Sequence, residues 1–258
     1  MRKFNEKLII LCSVLCLSFT ACGAKEVVSE AHTQQPVVEE ETVSSDEPIE
    51  VKLEDYMEVV DQGTVREFVD TDSNTVGFYL YFLILNKTDD KVVSNATFTV
   101  NINDKDGLYK TGEGCISTLV PGDTGLFAVY FETPIDYVQN DFGGATMLCK
   151  NFYVYDVDKL NGFRQTDVEI NDFRTESDGV MNTAITFYAT NNSDKNPGDL
   201  SARVLCKKDG EVVGYAESNL VGALTPGKDV AMQVDGSHDI PSDCDGYFIF
   251  LDYSDWSK

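Results

Sequence analysis

Three sets of residues have the chemical types that catalysis or metal binding requires. Ser237-His238-Asp239 carries the side chains of a hydrolytic triad. A triad needs groups converging from separate parts of the chain, whereas consecutive residues point apart. No Gly-x-Ser-x-Gly elbow presents a serine either. His238 and His32 are the only two histidines, so histidine catalysis and multi-histidine metal sites have little material. Asp104, Asp106, Gly107 and Glu113 fall at positions 3, 5, 6 and 12 of a calcium-loop spacing. Position 1 would be Ile102, which has no ligating atom in its side chain and belongs to an apolar face. Asp239, Asp243, Cys244 and Asp245 form an acidic loop without zinc spacing. The expectation is a chain with no catalytic residues, no metal site and no cofactor.

Cysteine use is the remaining reactive chemistry. Cys115, Cys149, Cys206 and Cys244 lie in the patterned part of the chain. An even count in an exported protein suggests disulfides. Cys206–Cys244 and Cys115–Cys149 are the pairs to test first, because each lies within one half. Cys206 also falls at an inward strand position, where it reads equally as a small apolar core residue.

The N-terminus explains why export is expected. Arg2, Lys3 and Lys7 precede an apolar run from Leu8 to Phe19, too short to cross a bilayer of about 30 Å. Phe19-Thr20-Ala21-Cys22-Gly23 then resembles the lipobox of bacterial lipoproteins, which implies cleavage before Cys22 and lipidation of it. Two acyl chains on Cys22 would anchor the chain stably to the membrane, on its extracellular face. Residues 23–50 hold eight acidic residues against Lys25, with Pro36 and Pro48 and no apolar period. That composition predicts a disordered tether.

Net charge is −24. Removing residues 1–21 takes away three basic side chains and Glu6, leaving 17 basic and 43 acidic residues. Such a surface excludes nucleic-acid binding, which requires cationic contacts to phosphates, and is repelled by anionic lipid.

The elements themselves come in two copies. Asn86-Lys87-Thr88-Asp89 returns as Asn191-Asn192-Ser193-Asp194, Asp106-Gly107 as Asp209-Gly210, and Pro121-Gly122 as Pro226-Gly227. The offsets are 105, 103 and 105. Alternating runs lie between them: Ala96, Phe98, Val100 and Ile102 share a face opposite Thr97, Thr99 and Asn101. Turns recur at short intervals and no stretch holds a helical period, so the prediction is all-β. We read two tandem immunoglobulin-like β-sandwich domains, residues 51–157 with about seven strands and residues 166–258, joined by a linker at 158–165. A signal peptide (1–21) and the lipidated tether (22–50) precede them.

The strand, Asp104 to Gly107 hairpin, strand, Leu119 to Gly122 order resembles FxLYD-type and related immunoglobulin-like domains, frequent in lipoproteins of Gram-positive bacteria. Lys207 to Gly210 and Leu224 to Gly227 repeat it. The resemblance spans about residues 60–253, and the run corresponding to the naming motif is Val100-Asn101-Ile102-Asn103-Asp104. It implies an extracytoplasmic module without established catalysis.

One strand separates the copies. Ile185, Phe187 and Ala189 face inward with Thr183, which leaves Asn182, Ala184, Thr186, Tyr188 and Thr190 outside. Carried back by 105 residues, that parity puts Phe78, Leu80, Phe82 and Ile84 inward and Tyr79, Tyr81, Leu83 and Leu85 outward. An apolar outward row is the candidate partner surface, for a protein or cell-wall partner. The competing reading packs it against Leu53 to Val60 or the second domain. Function is thus expected to be that of an anchored binding or scaffolding module. An accessory solute-binding or transport-linked lipoprotein is the alternative.

Overall fold

The computed structural model describes residues 52–140, 142–159, 162–177, 183–198, 200–218, 224–236, 240–241 and 244–254. The signal segment, Cys22 and the tether lie outside them, as do Ser237-His238-Asp239 and Asp243. The chain is all-β. The first repeat contains β1 (Met57–Asp70), β2 (Thr75–Asn86), β3 (Lys91–Asp104), β4 (Gly107–Leu119), β5 (Thr124–Pro134) and β6 (Phe142–Asp156). The second contains β7 (Val168–Ser177), β8 (Thr183–Asn191), β9 (Leu200–Lys208), β10 (Glu211–Glu217), β11 (Asp229–Gly236) and β12 (Gly246–Tyr253). Among the described residues the first repeat thus has six strands where about seven were expected, and β1 runs unbroken from Met57 to Asp70 with a register irregularity between Val59 and Asp61. The helices α1 (Leu53–Tyr56) and α2 (Ile135–Asn140) are short, of four and six residues.

In the first repeat, sheet β1-β2-β5 faces sheet β4-β3-β6. Phe78, Leu80, Phe82 and Ile84 of β2 meet Ala96, Phe98, Val100 and Ile102 of β3 in one core. Phe127 stacks between the layers, with ring centroids 5.2 Å from Phe82 and 4.7 Å from Phe98. A Cβ at Gly114 would stand 2.2 Å from the Phe127 ring, so only glycine lets that ring lie flat on β4.

In the second repeat, one six-stranded sheet has the order β12-β9-β10-β11-β8-β7. Among the described residues, strands β10 and β11 share the Ala216↔Gly236 and Glu217↔Asp235 pairs. The sheet folds at this narrow join, so that Ile185, Phe187 and Ala189 of β8 pack on Leu200, Ala202, Val204 and Cys206 of β9. Strand for strand, the two repeats have the same plan: 1-2-5 over 4-3-6, and 7-8-11 over 10-9-12.

The duplicated turns have one cause. Asn86 is fully buried, and its Nδ2 donates to the carbonyls of Lys91 and Leu119 at 2.8 Å each. Its Oδ1 accepts from the Thr88 amide (3.0 Å) and hydroxyl (2.7 Å), while its own carbonyl accepts from Gly122 N. Asn191 does the same with Lys195, Leu224, Ser193 and Gly227, at 2.7 to 3.0 Å. One amide side chain thus ties the β2–β3 loop to the Pro-Gly turn, satisfying polar groups that the core would otherwise strand. Gly122 and Gly227 have φ of 77° and 68°, as the third residue of such a turn requires. The Asp-Gly offset differs because the pair sits differently in its hairpin: Asp209 and Gly210 form the two-residue turn of the second, both at left-handed φ, whereas Lys105 and Asp106 form that of the first.

Residues between the repeats are structural on both sides. Phe163 is fully buried in the second core, and its carbonyl accepts from Tyr253 Oη at 3.2 Å. Arg164 Nη1 donates to Pro121 O at 3.1 Å, and the Gln165 side chain accepts from Leu251 N. Residues 163–165 of the connection are therefore a clamp between the repeats as well as part of a linker.

Candidate functional site

The outward row of β2 lies against the second repeat. Tyr81 and Leu83 are buried in a third apolar cluster with Val65 and Leu126 from their own sheet and Leu205, Tyr215 and Phe250 from β9, β10 and β12. Tyr81 lies across Gly63, its register partner on β1, where an added Cβ would be 2.7 Å from the phenol oxygen. Burial pushes the Tyr79 and Tyr81 hydroxyls up to about 12, with nearby carboxylates adding to the effect. Leu85 is half-buried beside Glu58 and Thr124, outside the cluster. The expected open row of four is instead covered over Tyr81 and Leu83, because the matching face of the second repeat is apolar too.

That second face was not singled out in the sequence. Its signal was present: Leu205 on β9, Tyr215 on β10 and Phe250 on β12 occupy outward positions where the first repeat has Asn101 at the β9 equivalent.

A buried charge closes the junction. Arg203 stands between register partners Glu217 and Phe250, with its side chain 12 % exposed. Nη1 donates to the carbonyls of Cys115 on β4 (3.0 Å) and Leu126 on β5 (2.7 Å), while Nη2 lies 3.2 Å from Asp252 Oδ2. Asp252 in turn accepts from the Ser117 amide at 2.7 Å and hydroxyl at 3.1 Å. Burial works against the guanidinium charge, but Asp252, Tyr215 and Glu217 outweigh it and raise the Arg203 pKa. Strands β4 and β5 are edge strands of different sheets, and their backbone groups need partners. Arg203 and Asp252 supply them.

The part of the row that remains reachable is its Tyr79 end. Tyr79 is half-buried and tilts against Tyr215 (centroids 4.7 Å apart) and against Tyr130 (5.4 Å). Tyr130 is 41 % exposed. Around this tyrosine ladder stand Glu67, Glu132 and Glu217, whose charges help raise Tyr79 or Tyr130 to about 12 after burial has done most of it. Tyr215 donates to Glu217 Oε2 at 2.5 Å. Two cations lie close by: Lys110 donates to the Glu132 carbonyl, and Arg203 lies 3.7 Å from Glu217. Both have partners within the protein. A small cleft farther along the junction is lined by Asp123, Gln165, Phe250 and Asp252.

The calcium-spaced residues do not converge. Glu113 lies within β4, opposite Thr99, and pairs with Lys150, while Asp104 accepts from the Asp106 amide. Among the described residues no three of His, Cys, Asp and Glu are placed to hold a metal ion. Asp245 accepts from the Asp209 amide at 2.8 Å, closing a turn.

Cys115 and Cys149 cannot pair. Cys115 is opposite Thr97 on one side of β3 and Cys149 opposite Phe98 on the other. Two strand spacings separate them by about 9.5 Å, beyond the reach of about 7 Å between bridged Cα atoms. Cys115 is exposed, whereas Cys149 packs on the core and its thiol is pushed up to about 11 by burial.

No family model matches the chain, and no curated protein matches it. Among solved structures it is similar to red sea bream transglutaminase at 10% identity, covering 76% of this chain and 31% of that enzyme, with a TM-score of 0.20. It is also similar to the 7S globulin of Momordica charantia at 7% identity, over 79% of this chain and 84% of that one, with a TM-score of 0.12. Neither superposition is close enough to bear on chemistry.

Proposed function

We propose that the protein is a non-catalytic binding module of the FxLYD-like lipoprotein kind, held on the extracellular face of the membrane by a lipid on Cys22. Its two repeats act as one body that presents the Tyr79–Tyr130 edge to a protein partner. The observation that carries this reading is the tyrosine ladder left open where the second repeat stops covering β2. Tyrosine rings flanked by Glu67, Glu132 and Glu217 favour a lysine- or arginine-rich segment, through ring faces and carboxylates together. The absence of anionic partners follows from the chain's net charge of −24.

Titration of the full chain with a lysine-rich decapeptide tests the reading. Tyr130→Ser is expected to weaken binding about 5- to 20-fold, the size of a cation–π contact, and to leave the melting temperature unchanged. Equal affinity for the Tyr130→Ser and wild-type proteins, or equal binding of a glutamate-rich decapeptide, would overturn it.

A further inference from the structure

Cys206 and Cys244 differ from the other two cysteines in the described residues. Cys206 is fully buried on the inward face of β9, and Cys244 packs against the same core just before β12. After burial, the neighbouring Cys244 thiol is what pushes the Cys206 thiol up. The backbone fixes this approach independently of the sulfurs. The Asp245 amide donates to Lys207 O at 3.0 Å, so the residues that follow each cysteine are bonded to one another. Tyr247 sits in register with Cys206, and Cys244 Sγ donates to Pro241 O at 3.0 Å. The first repeat fills the position equivalent to Cys206 with Ile102, also fully buried. A thiol is thus not needed by the sandwich plan at this place.

We infer that Cys206 and Cys244 form a disulfide that staples the entry of β12 to β9. Two thiols become one S–S bond, with two protons and two electrons passing to a second disulfide, which is released as two thiols. The half-buried Cys244 reacts first. Its thiolate attacks the incoming disulfide, forming a mixed disulfide and expelling the first thiolate. Cys206 then loses its proton, attacks Cys244 Sγ and expels the second. Burial pushes the Cys206 thiol up to about 12, so this second step is the slower one. The bond closes a loop that includes β10 and β11 and fixes the strand carrying Phe250 and Asp252, which hold the first repeat. It is therefore a covalent support for the junction between the repeats.

The full chain, incubated with oxidised glutathione, alkylated and digested, should yield a Cys206–Cys244 cross-linked peptide. Its melting temperature should rise by several degrees and fall back on adding a phosphine reductant. Cys244→Ala should fold with the reduced protein's melting temperature and show no rise on oxidation. A glutathione adduct persisting on Cys244 without the cross-link would overturn the inference. So would a cross-link to Cys115 or Cys149 in its place, or a melting temperature that oxidation leaves unchanged or lowers.

Discussion

The two repeats agree inside and differ outside. Asn86 and Asn191 make the same buried contacts at the same offset, and the strands stack in the same order. The outer faces, by contrast, are complementary in a head-to-tail sense. The 1-2-5 face of the first repeat meets the 10-9-12 face of the second. The faces left over are mixed: Thr97 and Asn101 on β3 share a face with exposed Leu148 and Tyr155 on β6, and Thr186 and Thr190 lie beside exposed Tyr188 on β8. The edges show a second difference. In the second repeat β10 and β11 close the sandwich by pairing with each other. In the first, β4 and β5 do not pair, and Arg203 donates to a carbonyl from each. The gap in one domain is filled by a side chain of the other.

The comparison is broken most severely by the asparagines. Asn86→Ala and Asn191→Ala each leave several buried groups without partners, at roughly 1–3 kcal/mol per group. Each should therefore cost on the order of 3–5 kcal/mol in urea unfolding, and the two losses should match. A large loss in one copy only would show that the networks are not equivalent.

Next comes Arg203→Met, which leaves Asp252 buried without its cation, at a cost of roughly 3 kcal/mol. Arg203→Lys should recover little, since an ammonium lacks the fork that reaches two carbonyls and a carboxylate at once. Full recovery by lysine would argue for a simple charge contact.

Tyr81→Ser should cost about 2 kcal/mol of apolar burial and split the calorimetric transition as the repeats uncouple. The control is Tyr188, at the position equivalent to Leu83 and 45 % exposed. Tyr188→Ser should stay within about 0.5 kcal/mol of wild type.

The smallest effect concerns Asp123, next to the Pro-Gly turn of the first repeat. Burial raises its pKa, opposed by the Gln165 amide and Arg164. A carboxyl whose folded pKa lies above its unfolded value stabilises the fold below that unfolded value. The contribution is lost as pH rises through the folded pKa. Asp123→Asn should remove this slope, and above the window the variant should melt no lower than wild type. A lower melting temperature at neutral pH would mean that the carboxylate's hydrogen bond outweighs its burial.

Much of the site was legible as parity. The outward placement of Tyr79, Tyr81, Leu83 and Leu85 follows from the inward placement of Phe78, Leu80, Phe82 and Ile84, because strand periodicity leaves no other choice. What covers them was not legible. Leu205, Tyr215 and Phe250 come from three strands whose register is set across the sheet, and an apolar residue on one short strand looks alike whether exposed or docked. The Cys115–Cys149 pair failed for a related reason: closeness in sequence says nothing about which side of β3 each strand takes.

The sequence by itself determined the repeat, the strand period and the turn chemistry, since these depend on local backbone preferences and on which residues tolerate burial. The Asn, Asp-Gly and Pro-Gly positions carry that information residue by residue. Only the tertiary structure decided that Tyr81 and Leu83 are covered, that Arg203 closes an edge of the other domain, and that Cys206 meets Cys244. Each of these is a contact between segments far apart along the chain, which local backbone preferences do not encode.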